Sequence, residues 1–90
     1  MGTREFLPPA RYDVPFKGSI TWTFHARAEL NRVCGNSELT GRIAGCARPY
    51  GPGRCSIAID EVYRGRPREL ALIKRHEIGH CNGWGAAHER

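Results

Sequence analysis

Long apolar runs are missing from this 90-residue chain; none approaches the roughly 18 residues that a membrane-spanning helix needs, so no membrane partner is expected. The first nine residues, Met1 to Pro9, lack the apolar stretch of a signal peptide. The expectation is a protein kept in the cytosol, or the mature form of an exported one. Blocks of like charge are also missing. Fourteen Lys and Arg against nine Asp and Glu give +5, but the cations are dispersed and no five occur together. A dispersed excess reads first as a solvated surface and second as a preference for acidic partners. There is no strand of interleaved aromatic and basic residues for stacking bases, so a nucleic-acid partner is not the leading expectation. None of the four cysteines lies in a C-x-x-C pair, which argues against a four-cysteine zinc site and against a thioredoxin-like motif. Repeats, low-complexity tracts and linkers are absent as well. What remains is an ordinary globular balance, 40% hydrophobic and 26% charged, in a single domain spanning 1–90. A chain this short buries a limited core and often leans on a metal or on disulfides.

Residues 1–18 hold three of the prolines in Pro8, Pro9 and Pro15 and little periodicity, and read as an extended or irregular arm. Ser19 to Phe24 alternates, with Ile20, Trp22 and Phe24 on one face, and reads as a strand. His25 to Cys34 changes to helical spacing and stops at Gly35. Arg42 to Arg48 is a weaker strand, followed by the turn signal Pro49-Tyr50-Gly51-Pro52-Gly53. Arg54 to Asp60 alternates cleanly, with Cys55, Ile57 and Ile59 on one face. Pro67 suits the first turn of a helix running to Cys81 and ended by Asn82-Gly83. The order strand, helix, strand, strand, helix predicts an α+β domain in which one face of a small three-stranded sheet packs on two helices. The strand at Arg54 to Asp60 is a candidate edge to which an extended peptide could add. The four cysteines are either free or, in an oxidising compartment, joined in two bridges with three possible connectivities; if the turn makes a hairpin, Cys46 and Cys55 face each other across it and are the first pair to test, with Cys34 left to Cys81.

The second helix carries His76-Glu77-Ile78-Gly79-His80, an H-E-x-x-H motif. Residues four apart on a helix differ by about 40° around the axis, so both imidazoles can grip one Zn²⁺. Glu77 is placed to take a proton from a zinc-activated water as general base. Gly83 can reverse the chain, and His88 follows His80 by eight residues. A catalytic zinc takes three protein ligands, so His76, His80 and His88 are the predicted set, with Glu89 a weaker option for the third. One zinc per chain is expected. Tyr63, Tyr50, Arg75 and His25 are candidates to hold the oxyanion, although His25 reads first as structural. Asp60 or Asn82 could support an imidazole, but both read first as turn or cap residues. Trp84 reads as core. Gly79 costs about 1 kcal/mol against Ala in a helix, which points to close packing or to room for substrate.

Arg75 to Trp84, R-H-E-I-G-H-C-N-G-W, with His88 beyond it, resembles the zincin metallopeptidases, and more closely small bacterial and phage-associated proteins carrying an R-H-E-x-G-H-C-N-G-W segment. The stretch Pro9 to Gly18 and a Cys46–Cys55 pair are similar to that group too. The resemblance implies a minimal zincin-like fold, zinc on His76 and His80, Glu77 as general base, and hydrolysis of a peptide or protein substrate. The chain departs from the large clans. The metzincin spacing would put the third ligand at Ala86, Met1 is the only methionine, and no later helix supplies a gluzincin glutamate. Two other functions compete with the zinc endopeptidase: a non-catalytic zinc-stabilised module closed by Glu89 or Cys81, and a metal-dependent nuclease.

Overall fold

The computed structural model describes residues 6–35 and 44–90. Strand β1 is Ser19–His25, helix α1 is Arg27–Cys34, strands β2 and β3 are Gly45–Gly51 and Arg54–Asp60, and helix α2 is Pro67–Cys81. A short 3₁₀ turn, Glu61–Gly65, joins β3 to α2. The predicted α+β class and the order of elements hold. The second strand begins and ends three residues later than the pattern suggested, and Arg42 and Ile43, its expected start, lie outside the described residues. Pro49 and Tyr50 belong to that strand rather than to the turn, which contracts to Pro52-Gly53 with a bulge between Pro49 and Gly51.

The sheet order is β1-β3-β2, with β3 parallel to β1 and antiparallel to β2. Both sides of β3 are therefore hydrogen-bonded. This corrects the expectation that Arg54–Asp60 is an edge strand able to accept a peptide. The run is central and buried on both faces: Cys55, Ile57 and Ile59 fill the apolar one, and Ala58 and Asp60 are nearly as buried on the other, where Arg27 meets the Asp60 carboxylate.

Register parity places one helix on each face, which corrects the one-face arrangement. Cys46 stands opposite Ala58, and Cys55 opposite Pro49. Ala58 and Cys55 are an odd number of residues apart, so Cys46 and Cys55 point to opposite faces and cannot meet. The observed bonds are Cys34–Cys46 and Cys55–Cys81. The first ties α1 to the Ala58 face, where Arg27 also pairs with the buried Asp60 at 3.1 Å. The second ties α2 to the Ile57 face, whose core gathers Cys55, Ile57, Ile59, Ile73 and Cys81 with Ile20, Phe24 and Leu70 around them. The expected 46–55 and 34–81 pairs are thus both replaced.

The arm does not run free. Turn hydrogen bonds from Tyr12 and Asp13 to the Pro9 carbonyl fold it. Asp13 pairs with Arg75 through both carboxylate oxygens. Asn82 Nδ2 donates to the carbonyls of Tyr12 (3.0 Å) and Val14 (2.7 Å). These bonds lay residues 6–14 along α2.

Candidate metal centre

Helix α2 is built in two strips. Leu70, Ile73, Glu77 and Cys81 recur at three- and four-residue steps; the last three are buried and Leu70 packs against the core. His76 and His80 lie on the neighbouring strip and are half-buried. The helix ends in a Schellman turn: Gly83 N donates to the His80 carbonyl (3.1 Å) and Trp84 N to the Gly79 carbonyl (3.0 Å). Gly83 takes φ +110°, a conformation other residues rarely adopt, and the chain doubles back as the sequence predicted. His88 arrives on the returning segment with φ +57°, the one non-glycine residue with positive φ among those described.

Three imidazole nitrogens meet there. The Nε2 atoms of His76 and His80 are 3.2 Å apart, those of His80 and His88 3.1 Å, and those of His76 and His88 3.2 Å. The other ring nitrogens decide what these contacts are. His76 Nδ1 lies 2.6 Å from the Phe6 carbonyl, and His80 Nδ1 lies 2.7 Å from the Trp84 carbonyl. A carbonyl oxygen only accepts, so both Nδ1 atoms carry the hydrogen. In neutral rings the two Nε2 atoms are then bare lone pairs aimed at each other. Lone pairs at this distance repel, and a shared cation removes the repulsion. Ligand nitrogens 2.0–2.1 Å from a tetrahedral ion stand roughly 3.3 Å from one another, close to the triangle observed. The three histidines could therefore hold a metal ion.

No fourth His, Cys, Asp or Glu joins this group among the described residues. Cys81 is committed to its disulfide, and the main-chain carbonyl of Glu89 accepts from Trp84 Nε1 at 2.8 Å. Glu77 is 4% exposed, and no hydrogen bond or ion pair reaches its carboxylate among the described residues. Burial in these surroundings pushes its pKa up to about 7. Burial likewise lowers His76 to about 4, helped by the charges of His80 and His88 and opposed by the hydrogen bond to Phe6. His88 is lowered for the same reasons, burial first and His80 second. Imidazoles that resist protonation, as His76 and His88 do, leave their lone pairs available to a metal.

The remaining predicted residues fall as follows. Trp84 is core, 2% exposed, and also stacks on the His80 ring at 4.9 Å. Asp60 is a cap, accepting from Val62 N at 3.0 Å. Asn82 binds the arm rather than an imidazole. His25 is tied to Glu29 (2.8 Å) and Thr23 (2.9 Å), the structural role. The other three oxyanion candidates have partners elsewhere: Tyr50 at Thr21, Arg75 at Asp13, and Tyr63, half-buried against the core, beneath Arg66. The imidazoles are oriented instead by two main-chain carbonyls. That of Trp84 is within reach of the motif, since it ends the N-G-W turn. That of Phe6, seventy residues away, leaves no local signal. Comparison with protein-family models, with curated proteins and with solved structures finds no match to the chain.

Proposed function

We propose that the chain is a zinc-dependent endopeptidase that binds one zinc on His76, His80 and His88 and uses Glu77 as general base. The triangle of Nε2 atoms, 3.1–3.2 Å apart with Nδ1 hydrogens committed to carbonyls, is the observation that carries the reading. Three nitrogen donors suit zinc better than magnesium or calcium, which prefer oxygen. Bound zinc would act as a Lewis acid on a peptide carbonyl and make water acidic enough to attack near neutral pH. The chain's own part is proton handling and orientation. The Glu77 carboxylate would accept the proton released as water attacks and deliver it to the departing amide nitrogen, so that acid and amine products balance. The Phe6 and Trp84 carbonyls would keep both ring planes aimed at the ion. The bond of Cys81 to Cys55 and the absence of Glu89 from the histidine group support the open site over the closed four-ligand module.

The test is a Glu77→Gln variant compared with the parent on casein, with and without chelator. Both proteins should bind one zinc, and the parent alone should cleave. Equal cleavage by both removes the glutamate mechanism. RNA offered in parallel tests the nuclease alternative, which predicts chelator-sensitive degradation of RNA and intact casein.

A further inference from the structure

The arm touches the metal centre at several points that the H-E-x-x-H motif does not account for. The Phe6 ring lies over the His76 imidazole, centroids 4.2 Å apart and planes within 16°. Its carbonyl fixes the His76 Nδ1 hydrogen. Two residues on, Pro8 is buried against Gly79. A methyl group at Gly79 would stand 2.8 Å from Pro8 Cβ, nearer still to Cγ, and 3.2 Å from Trp84 Cε3. The glycine inside the helix is therefore a seat for the proline ring. Between these contacts, Arg90 donates to the Leu7 carbonyl at 2.7 Å, joining the segment after His88 to the segment before Pro8.

We propose that residues Phe6 to Pro8 are a strap that completes the metal centre, with Phe6 the positioning residue for His76 and the Pro8–Gly79 seat the device that holds it in register. This rests on the metal-binding reading of the three histidines. The physical reason is entropic. An imidazole with a free Nδ1 can rotate and exchange tautomers, and each alternative must be frozen out when a metal binds. A carbonyl 2.6 Å from Nδ1 and a ring stacked on the face freeze it beforehand. His80 takes the equivalent support from Trp84, three residues past the end of its own helix. His76 borrows it from a segment that neither disulfide encloses. Linkage then makes the effect reciprocal: docking of the strap tightens metal binding, and metal binding holds the strap down.

Zinc affinity of the full chain, measured by competition with a chromophoric chelator, tests the inference in the parent, Gly79→Ala, Pro8→Gly and the double variant. Gly79→Ala alters no ligand, and its methyl overlaps Pro8 far more than Trp84 Cε3, so it should weaken zinc binding at least ten-fold chiefly by unseating the strap. The double variant should bind more tightly than Gly79→Ala alone, because removing the proline ring makes room for the methyl. The cobalt-substituted Gly79→Ala protein should show an altered visible spectrum, since the ring of one ligand has lost its orientation. Trypsin cleavage after the exposed Arg11 should slow when zinc is added to the parent and slow less in Gly79→Ala. Zinc affinity of Gly79→Ala within two-fold of the parent overturns the strap while leaving the metal site standing, and so does a double variant no tighter than Gly79→Ala. If the parent takes up no metal, the metal-binding reading falls and the strap falls with it.

Discussion

Zinc added to the metal-free protein should raise its melting temperature by an amount the structure allows to be worked out. The folded chain presents three convergent nitrogens, and the unfolded chain does not. A ligand at one hundred times its dissociation constant then stabilises the fold by about 2.7 kcal/mol. In a domain of this size each kcal/mol moves the midpoint by roughly 4–8 °C. The expected rise is therefore on the order of 10–20 °C, towards the upper end because two crosslinks already restrict the unfolded chain. His88→Ala removes one corner of the triangle. A site a hundred-fold weaker at the same zinc concentration stabilises by only about 0.4 kcal/mol, or roughly 2–3 °C. The His88 ring is exposed, so the metal-free midpoint of the variant should barely move. Scanning calorimetry of both proteins, with chelator and with zinc, supplies the four midpoints. A parent shift below about 3 °C at saturating zinc, or an undiminished shift in His88→Ala, would refute the three-histidine centre.

Glu77→Gln should stabilise the metal-free protein above pH 7. The folded pKa is raised from 4.5 to about 7, so the unfolded chain ionises first and stability is lost between those values; removing the charge restores at most about 3 kcal/mol, with no gain below pH 4.5. Equal denaturant midpoints for variant and parent at pH 8 would contradict the burial argument. In that same background, His76 should produce the opposite slope. Its folded pKa is lowered from 6.5 to about 4, so stability is present above pH 6.5 and falls as the pH drops towards 4, and His76→Gln should flatten that part of the curve. Mass spectrometry of a non-reduced digest should find Cys34 joined to Cys46 and Cys55 to Cys81; peptides joining Cys46 to Cys55 would overturn the sheet register. X-ray absorption of the zinc-loaded protein should fit three nitrogens at about 2.0–2.1 Å plus one oxygen, and a fourth nitrogen or a sulfur would favour a closed structural site.

The parts of the molecule that could be read from the chain are those whose cause is local. The alternation of Arg54–Asp60 made a strand, and Pro67 with Asn82-Gly83 bounded a helix at the residues observed. The H-E-x-x-H spacing and the Gly83 reversal brought His88 to its two partners. Misreadings arose where the cause is distant. Whether β3 is central depends on what β1 and β2 do, and alternation within one strand carries no information on that. The disulfide pairing follows from register: a hairpin drawn with Cys46 opposite Cys55 differs from the real one, in which Cys46 faces Ala58, by three residues, an odd number that reverses the side chain. The arm could be recognised as irregular, but its docking rests on carbonyls, which every residue possesses and none advertises.

The Cys55–Cys81 bond joins the residue next to His80 to the only strand among the described residues that is flanked on both sides by others. Amide hydrogens of Ile57 and Ile59 should be among the last to exchange with deuterated solvent. One corner of the histidine triangle is thus tied through a covalent bond to the doubly paired strand. His76 stands on the same helix but owes its ring orientation to Phe6, and His88 rides the returning segment, so give in either segment should loosen those two rings around a third that stays put.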